Sequence, residues 1–176
     1  IPLRRQRQMC IRDSPYIELP KKLTVKQNLI VFGKLYKIKN LNDRIDYLTS
    51  KLRLSDILNR ITGELSSGQK NRASLAKSLI NDPKVLLLDE PTASLDPEIG
   101  DFIRSFLEDY KKEKKISILL ASHNMNEVTR LCKSILMMKD GIIVDSGSPA
   151  NLIEKHGRKN LEEVFLKLSR RPNEHN

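Results

Sequence analysis

Two periods of apolar residues run along this chain, and the switches between them mark its elements. From Thr24 onward, Val25, Leu29, Phe32, Leu35 and Tyr36 fall at helical spacing. Thr24-Val25-Lys26-Gln27 has the Ser/Thr-x-x-Glu/Gln form of a capping box, which satisfies two orphan amides at a helix start. Ile45, Leu48 and Leu52 predict a second helix over 43–52, and a short third helix fits 55–60. Ser66 or Ser67 is placed to cap a longer helix through Leu79, with Ala73, Ala76, Leu79 and Ile80 facing inward. Asn81-Asp82-Pro83 stops it, because proline disfavours helical backbone in the residue before it. Val85 to Leu88 is a continuous apolar run within a strand over 84–89, as in a parallel strand buried on both faces. Helix returns over 97–114, with Ile99, Ile103, Phe106 and Leu107 as its core stripe. A second buried strand is expected over 117–122 and a short helix over 124–132. Strands over 134–139 and 142–146 form a hairpin across Asp140-Gly141, a tight-turn pair. Ser148-Pro149 opens a further helix, a terminal helix spans 160–168, and Arg170 to Asn176 reads as a frayed tail.

At 176 residues, 39% hydrophobic and 31% charged, the chain suits one soluble globular domain with a real core. No apolar run approaches the roughly 18 residues that span a bilayer. If the protein serves a membrane, it does so as a peripheral subunit. The N-terminus carries charge without the apolar segment of a secretory signal. Net charge is +10, mostly a lysine-rich solvated surface, with one local run at Lys111, Lys112, Lys114 and Lys115. Four Phe, four Tyr and no Trp argue against a base-stacking platform, so no nucleic-acid partner is expected. Cys10 and Cys132 form no metal-ligand spacing and suit a reducing compartment.

The first fourteen residues, IPLRRQRQMCIRDS, carry four arginines and one aspartate and show neither helix nor strand periodicity. They resemble translated adapter read-through. Residues 1–14 are therefore expected to be non-native or disordered, with the natural sequence starting near Pro15; the alternative is a native basic arm.

Three places carry candidate chemistry. Asp89 and Glu90 end a predicted strand, where open parallel sheets place ligands. One carboxylate could hold a metal beside phosphates, and the next, turned by the strand end, could orient an attacking water. Alternatively, both are solvated in a loop. Leu65-Ser66-Ser67-Gly68-Gln69 is either an ordinary Ser-capped helix start or a loop that lets backbone approach an anion at a helix N-terminus. His123 ends the next strand in Ala121-Ser122-His123-Asn124, 33 residues after Glu90. A phosphate-cradling G-x-x-x-x-G-K-[ST] is absent. The only Gly-Lys pair is Gly33-Lys34, followed by Leu35, with Asn28 where the first glycine would stand.

In order and spacing, these motifs resemble the nucleotide-binding domain of ATP-binding-cassette (ABC) transporters over about Pro15 to Leu168. Leu65 to Gln69 resembles the signature LSGGQ, with Ser67 replacing the first glycine. Val85 to Pro91 resembles the Walker B strand, Ser94-Leu95-Asp96 the D-loop and His123 the switch histidine. Asp96-Pro97-Glu98 is also a fair helix start in its own right. The Q-loop glutamine should lie near Ser14 or Pro15 and is not there. Gln6 and Gln8 lie too far upstream.

The resemblance implies an α/β, P-loop NTPase-like ABC ATPase fold: a parallel sheet core with an inserted α-helical subdomain, incomplete at its N-terminus before the Walker A loop. A helical subdomain over about 20–80, catalytic core strands over 84–147, C-terminal helices over 148–168 and a tail over 169–176 are expected. It implies ATP and Mg²⁺ as cofactors, with Asp89 at the metal and Glu90 and His123 catalytic. Ser66, Ser67, Gly68, Gln69 and Asp96 would bind nucleotide across a dimer. It implies a homodimer or related ABC subunit and a transmembrane permease partner, docked around Tyr16 to Tyr36. The location would be the cytoplasmic side of the cell membrane. Asn160 to Leu166 resembles the ending of exporter subunits. The alternative is a soluble ABC ATPase acting on ribosomes or DNA. The ribosomal kind carries Asn-His-Leu-Asp where Ala93-Ser94-Leu95-Asp96 stands here. The DNA kind places a long coiled coil upstream of the signature, for which the 50 residues from Pro15 to Glu64 leave no room. Glu90 and His123 argue against a silent regulatory cassette.

Overall fold

The structure is a computed structural model that describes residues 9–12, 19–93 and 95–170. Two compact units make up the chain, Ile1–Ala121 and Ser122–Asn176, so the expected core stretch 84–147 is shared between them.

The first unit holds β1 (Met9–Arg12), α1 (Val25–Leu35), α2 (Leu41–Lys51), α3 (Ser67–Leu79), β2 (Val85–Asp89), α4 (Pro97–Lys114) and β3 (Ser117–Ala121). Its three strands are parallel in the order β1-β2-β3. Val85 sits opposite both Met9 and Ser117, and Leu88 opposite both Arg12 and Leu120. Met9–Arg12 therefore forms a strand where the sequence pattern indicates no element. Parallel pairing rests on backbone groups, and four residues beside the edge of β2 supply those without any alternation of side chains. Pro15 and Tyr16, with the rest of 13–18, lie outside the described residues, as do Ser94 and 171–176.

The helix starts follow the local chemistry. Thr24 caps α1 in a full capping box with Gln27. Val25, Leu29 and Gly33 bury the inner face of α1, while Leu35 is 66% exposed although it shares the helical spacing. A Cβ at Gly33 would run into the Leu41 side chain, so this glycine lets α2 approach α1. Ile45, Leu48 and Leu52 are buried as expected, and so are Ala73, Ala76, Leu79 and Ile80. The expected short third helix is a single 3₁₀ turn, Ser55–Ile57. Arg44 ties the helices together. Its guanidinium donates to Leu79 O, to Asp82 Oδ1 at 3.2 Å and to Tyr110 Oη at 2.8 Å. Tyr110 in turn donates to Asp82 Oδ1 at 2.9 Å, and burial pushes its phenol well above the ordinary range.

Two strand expectations need correction. Leu86 and Leu88 of β2 are buried, but Val85 and Leu87 are half-buried, so only one face is fully covered. β3 is not buried: Leu119 is 65% exposed. Among the described residues β3 pairs with β2 alone, and an apolar composition does not cover an edge strand.

The second unit holds α5 (Met125–Leu131), β4 (Ile135–Lys139), β5 (Ile142–Gly147), α6 (Pro149–His156) and α7 (Leu161–Arg170). The hairpin turns on Asp140 (φ 51°) and Gly141 (φ 78°), both left-handed as a type I′ turn requires. Ile135 and Met137 pack with Val128, Leu152, Leu161, Val164 and Leu168. The hairpin also leaves Leu136, Met138, Ile142 and Ile143 each more than half exposed.

Asp145 on β5 is nearly enclosed and binds α6. It accepts from Lys155 Nζ at 2.7 Å, His156 Nε2 at 2.6 Å and Ser146 N at 2.8 Å. The Lys155 hydrogen bond, opposed by desolvation and helped by His156 and the Ser146 amide, holds its carboxyl at about 2 against an ordinary 3.8. Because the folded value is depressed, the stabilisation is present above 3.8 and is lost as pH falls toward 2. Asp145→Asn is expected to flatten the fall in melting temperature between pH 4 and 2. Thermal melts across that range that fall equally in both proteins would show that another carboxylate carries the acid sensitivity.

Candidate functional site

β2 delivers two adjacent carboxylates to its C-terminal end, and the backbone turns between them. Asp89 is the last strand residue and is exposed. Glu90, half-buried, takes φ 47°, the left-handed region. A residue with a Cβ is held there at a cost of about 1–3 kcal/mol, and only when its surroundings over-determine it. Three hydrogen bonds do so. Glu90 N donates to Ala121 O at 2.8 Å, carrying the sheet pairing one residue past β2. Ala93 N closes a turn onto Glu90 O at 3.1 Å. Asn71 Nδ2, from α3, donates to Pro91 O at 2.8 Å.

The N-terminus of α3 lies against the same turn. Ser66 Oγ accepts from Gln69 N at 3.3 Å, and Gln69 Oε1 accepts from Ser66 N at 3.0 Å. The side chains of Ser66 and Gln69 are thus engaged in capping the helix. The amides of Ser67 and Gly68 have no hydrogen-bond partner among the described residues, as first-turn amides do until an anion or water takes them. A Cβ at Gly68 would sit 3.8 Å from both Leu95 Cδ2 and Ile99 Cγ2, an ordinary contact. The fold of this subunit therefore does not require glycine there.

Asp96 caps α4: its Oδ1 accepts from Ile99 N at 2.9 Å, and Pro97 stands at the first helical position. Its neighbour Ser94 lies outside the described residues, so the D-loop is described only in part. His123 is exposed and stands in the second unit, one residue before the Asn124 cap of α5. The structure thus brings Asp89, Glu90, Asp96 and Ser66 to Gln69 to one side of one unit. Ser14 and Pro15, where the Q-loop is expected, lie outside the described residues.

Asn71 and Arg72 escape a reading of the sequence. Arg72 Nη1 donates to Leu52 O at 3.3 Å and Arg53 O at 2.6 Å, fastening α3 to the end of α2. The available signal is a polar pair directly before the buried stretch of α3, which begins at Ala73.

The residues present fit the groups the motifs imply. Among the described residues no three His, Cys, Asp or Glu side chains converge on a metal position. Mg²⁺ beside phosphates needs only one or two carboxylates, with water and phosphate oxygens completing its shell, and an exposed strand-end carboxylate such as Asp89 fits that need.

Residues 2–93, about half the chain, match the family described as "ABC transporter". The chain belongs to that family. The ABC match begins inside the stretch whose pattern shows no element, the stretch that contains β1. The chain is 35% identical over 147 residues to the ABC transporter ATP-binding protein NatA of Bacillus subtilis, covering 82% of this chain and 59% of that protein. It is 37% identical over 149 residues to the Nod factor export ATP-binding protein I of Rhizobium sp. strain N33, covering 84% and 49% respectively. The chain therefore spans about half the length of these curated relatives. Among solved structures, an ATP-binding subunit of an ABC transporter superposes with a TM-score of 0.79 at 24% identity, over 95% of this chain and 70% of that one. CbiO1 of Clostridium perfringens, part of an ABC transporter complex, superposes at 0.72 with 29% identity, over 94% and 66%. The fold is the α/β fold of ABC ATPase domains, with a parallel sheet.

Proposed function

We propose that this chain is the signature-bearing part of an ATP-hydrolysing subunit that powers a separate membrane-spanning partner, in an exporter. The observation that carries the reading is Glu90, held in a left-handed turn directly after Asp89 at the end of a parallel strand and tied there to α3. ATP would supply the reacting phosphoryl group and Mg²⁺ the charge neutralisation around it. Asp89 holds the metal, directly or through water. Glu90 orients the attacking water and accepts its proton, and His123 contacts the terminal phosphate. Ser67 N–H and Gly68 N–H, with Ser66, Gln69 and Asp96 beside them, face the nucleotide of a second subunit. Being peripheral, the subunit would sit on the cytoplasmic face of the membrane. No described helix is long and apolar enough to cross it. The outer side of α1, where Val31 and Leu35 are exposed beside Lys34, is the face we assign to the partner.

Gly68→Asp tests the reading in the full-length subunit. Aspartate in a first helical turn suits the helix dipole, so folding should be unharmed. The same charge repels a phosphate. Thermal unfolding and co-purification with the membrane-spanning partner are expected to match wild type, while ATP-driven dimerisation in size-exclusion runs is lost. A Gly68→Asp subunit that dimerises on ATP as wild type does would remove the α3 N-terminus from the nucleotide site. A wild-type subunit that brings down no membrane protein would remove the transporter role.

A further inference from the structure

Asn71 lies in the second turn of α3, beyond the Ser66–Gln69 capping box, and α3 does not need it. Its Nδ2 donates to Pro91 O at 2.8 Å. Its Oδ1 is buried with no hydrogen-bond partner among the described residues. A carboxamide is thus desolvated in order to hold one backbone carbonyl, 20 positions along the chain. That carbonyl belongs to the residue after Glu90. Two further hydrogen bonds at the Glu90 turn come from β3 and from the turn itself. Asn71 adds a bond from α3, the helix that carries Ser66 to Gln69 at its start.

We propose that Asn71 is a positioning residue that locks the Glu90 turn to α3, so that a shift of the α3 N-terminus is transmitted to Glu90 in the same subunit. This rests on the function proposed above. There, the α3 N-terminus answers to the nucleotide of the second copy and Glu90 to the subunit's own nucleotide. Asn71 then joins the two sites through one polar contact. Gly68 at the start of α3 also lies near this loop, since a Cβ built there would sit 3.8 Å from Leu95 Cδ2.

The experiment uses the full-length subunit with Asn71→Leu, Asn71→Gln and Glu90→Gln. Leucine matches asparagine in size and removes the donor together with the unsatisfied oxygen, so the melting temperature should hold. In the nucleotide-free protein, hydrogen exchange at the Ala93 amide, which reports closure of the Glu90 turn, is expected to quicken in Asn71→Leu. Turnover is expected to fall about 10- to 100-fold in kcat, with KM for Mg-ATP unchanged, as a small misplacement of a catalytic group does. Asn71→Gln, which keeps the donor, should recover part of both. Unchanged Ala93 exchange and unchanged kcat in Asn71→Leu overturn the proposal. So does a fall in kcat that merely follows a fall in melting temperature, with Ala93 exchange as in wild type. If Glu90→Gln turns over ATP normally, the functional reading fails instead, and Ala93 exchange alone then decides whether Asn71 positions the turn.

Discussion

Glu90→Gln in the full-length subunit is expected to stop steady-state ATP turnover while leaving Mg-ATP binding in place. The amide keeps the size of the side chain. It also keeps the backbone cost of φ 47°, since both residues carry a Cβ. What it removes is the proton acceptor, and a positioned general base typically contributes about 10²–10⁴-fold in rate. Phosphate release should fall by that factor, and nucleotide-bound dimers should accumulate, because hydrolysis no longer separates them. Glu90 N donates to Ala121 O and Ala93 N donates to Glu90 O, backbone bonds that the substitution does not touch. Ala93 amide exchange as in wild type would show that the turn is kept. Turnover near the wild-type rate would leave Glu90 as a strand-end carboxylate with no chemical part.

The 176-residue chain by itself is expected to bind Mg-ATP no tighter than about millimolar. The motif that would supply most phosphate contacts, a glycine-rich loop with its lysine and aligned amides, does not occur in this sequence. Gly33-Lys34 offers no substitute. Both residues lie inside α1, where the backbone amides are used by the helix and Gly33 is buried against Leu41. Among the described residues, the proposed phosphate contacts that remain are Asp89, Glu90, His123 and the α3 N-terminus. Relative to a micromolar site, this is a deficit of about 4 kcal/mol. Titration calorimetry at tens of micromolar protein should show no saturable heat. Micromolar binding would mean that the chain grips phosphate without a glycine-rich loop, through other residues.

Much of the fold was legible because its signals are local. Thr24, Ser66, Asp96 and Ser148 each cap the helix that the pattern starts there, and each needs only residues within three positions. The Asp140-Gly141 turn is equally local. Arg44 was not legible, since its partners Leu79 and Tyr110 stand 35 and 66 positions away. Asn71 was missed for the same reason. The burial of β3 was misjudged because an apolar run reports composition, while exposure depends on which element lies next to it. Of the candidate site, Asp89, Glu90 and Ser66 to Gln69 could be named from motif spacing. The left-handed turn at Glu90 could not, because no glycine or asparagine announces it. Nor could the capping duty of the Ser66 and Gln69 side chains be separated from a ligand role until their partners were seen.

The turn at Glu90 also sets evolution a conflict of interest. Glycine or asparagine at position 90 would relieve a conformation that glutamate occupies at a loss. Selection for thermal endurance alone would therefore drift away from the carboxylate. Lys37, Arg53, Asp82, Lys115 and Asp140 share that backbone region, but under the proposed function Glu90 alone would be kept there for its chemistry. If the proposed function holds, a stability screen run without an activity readout would replace Glu90 and discard the activity.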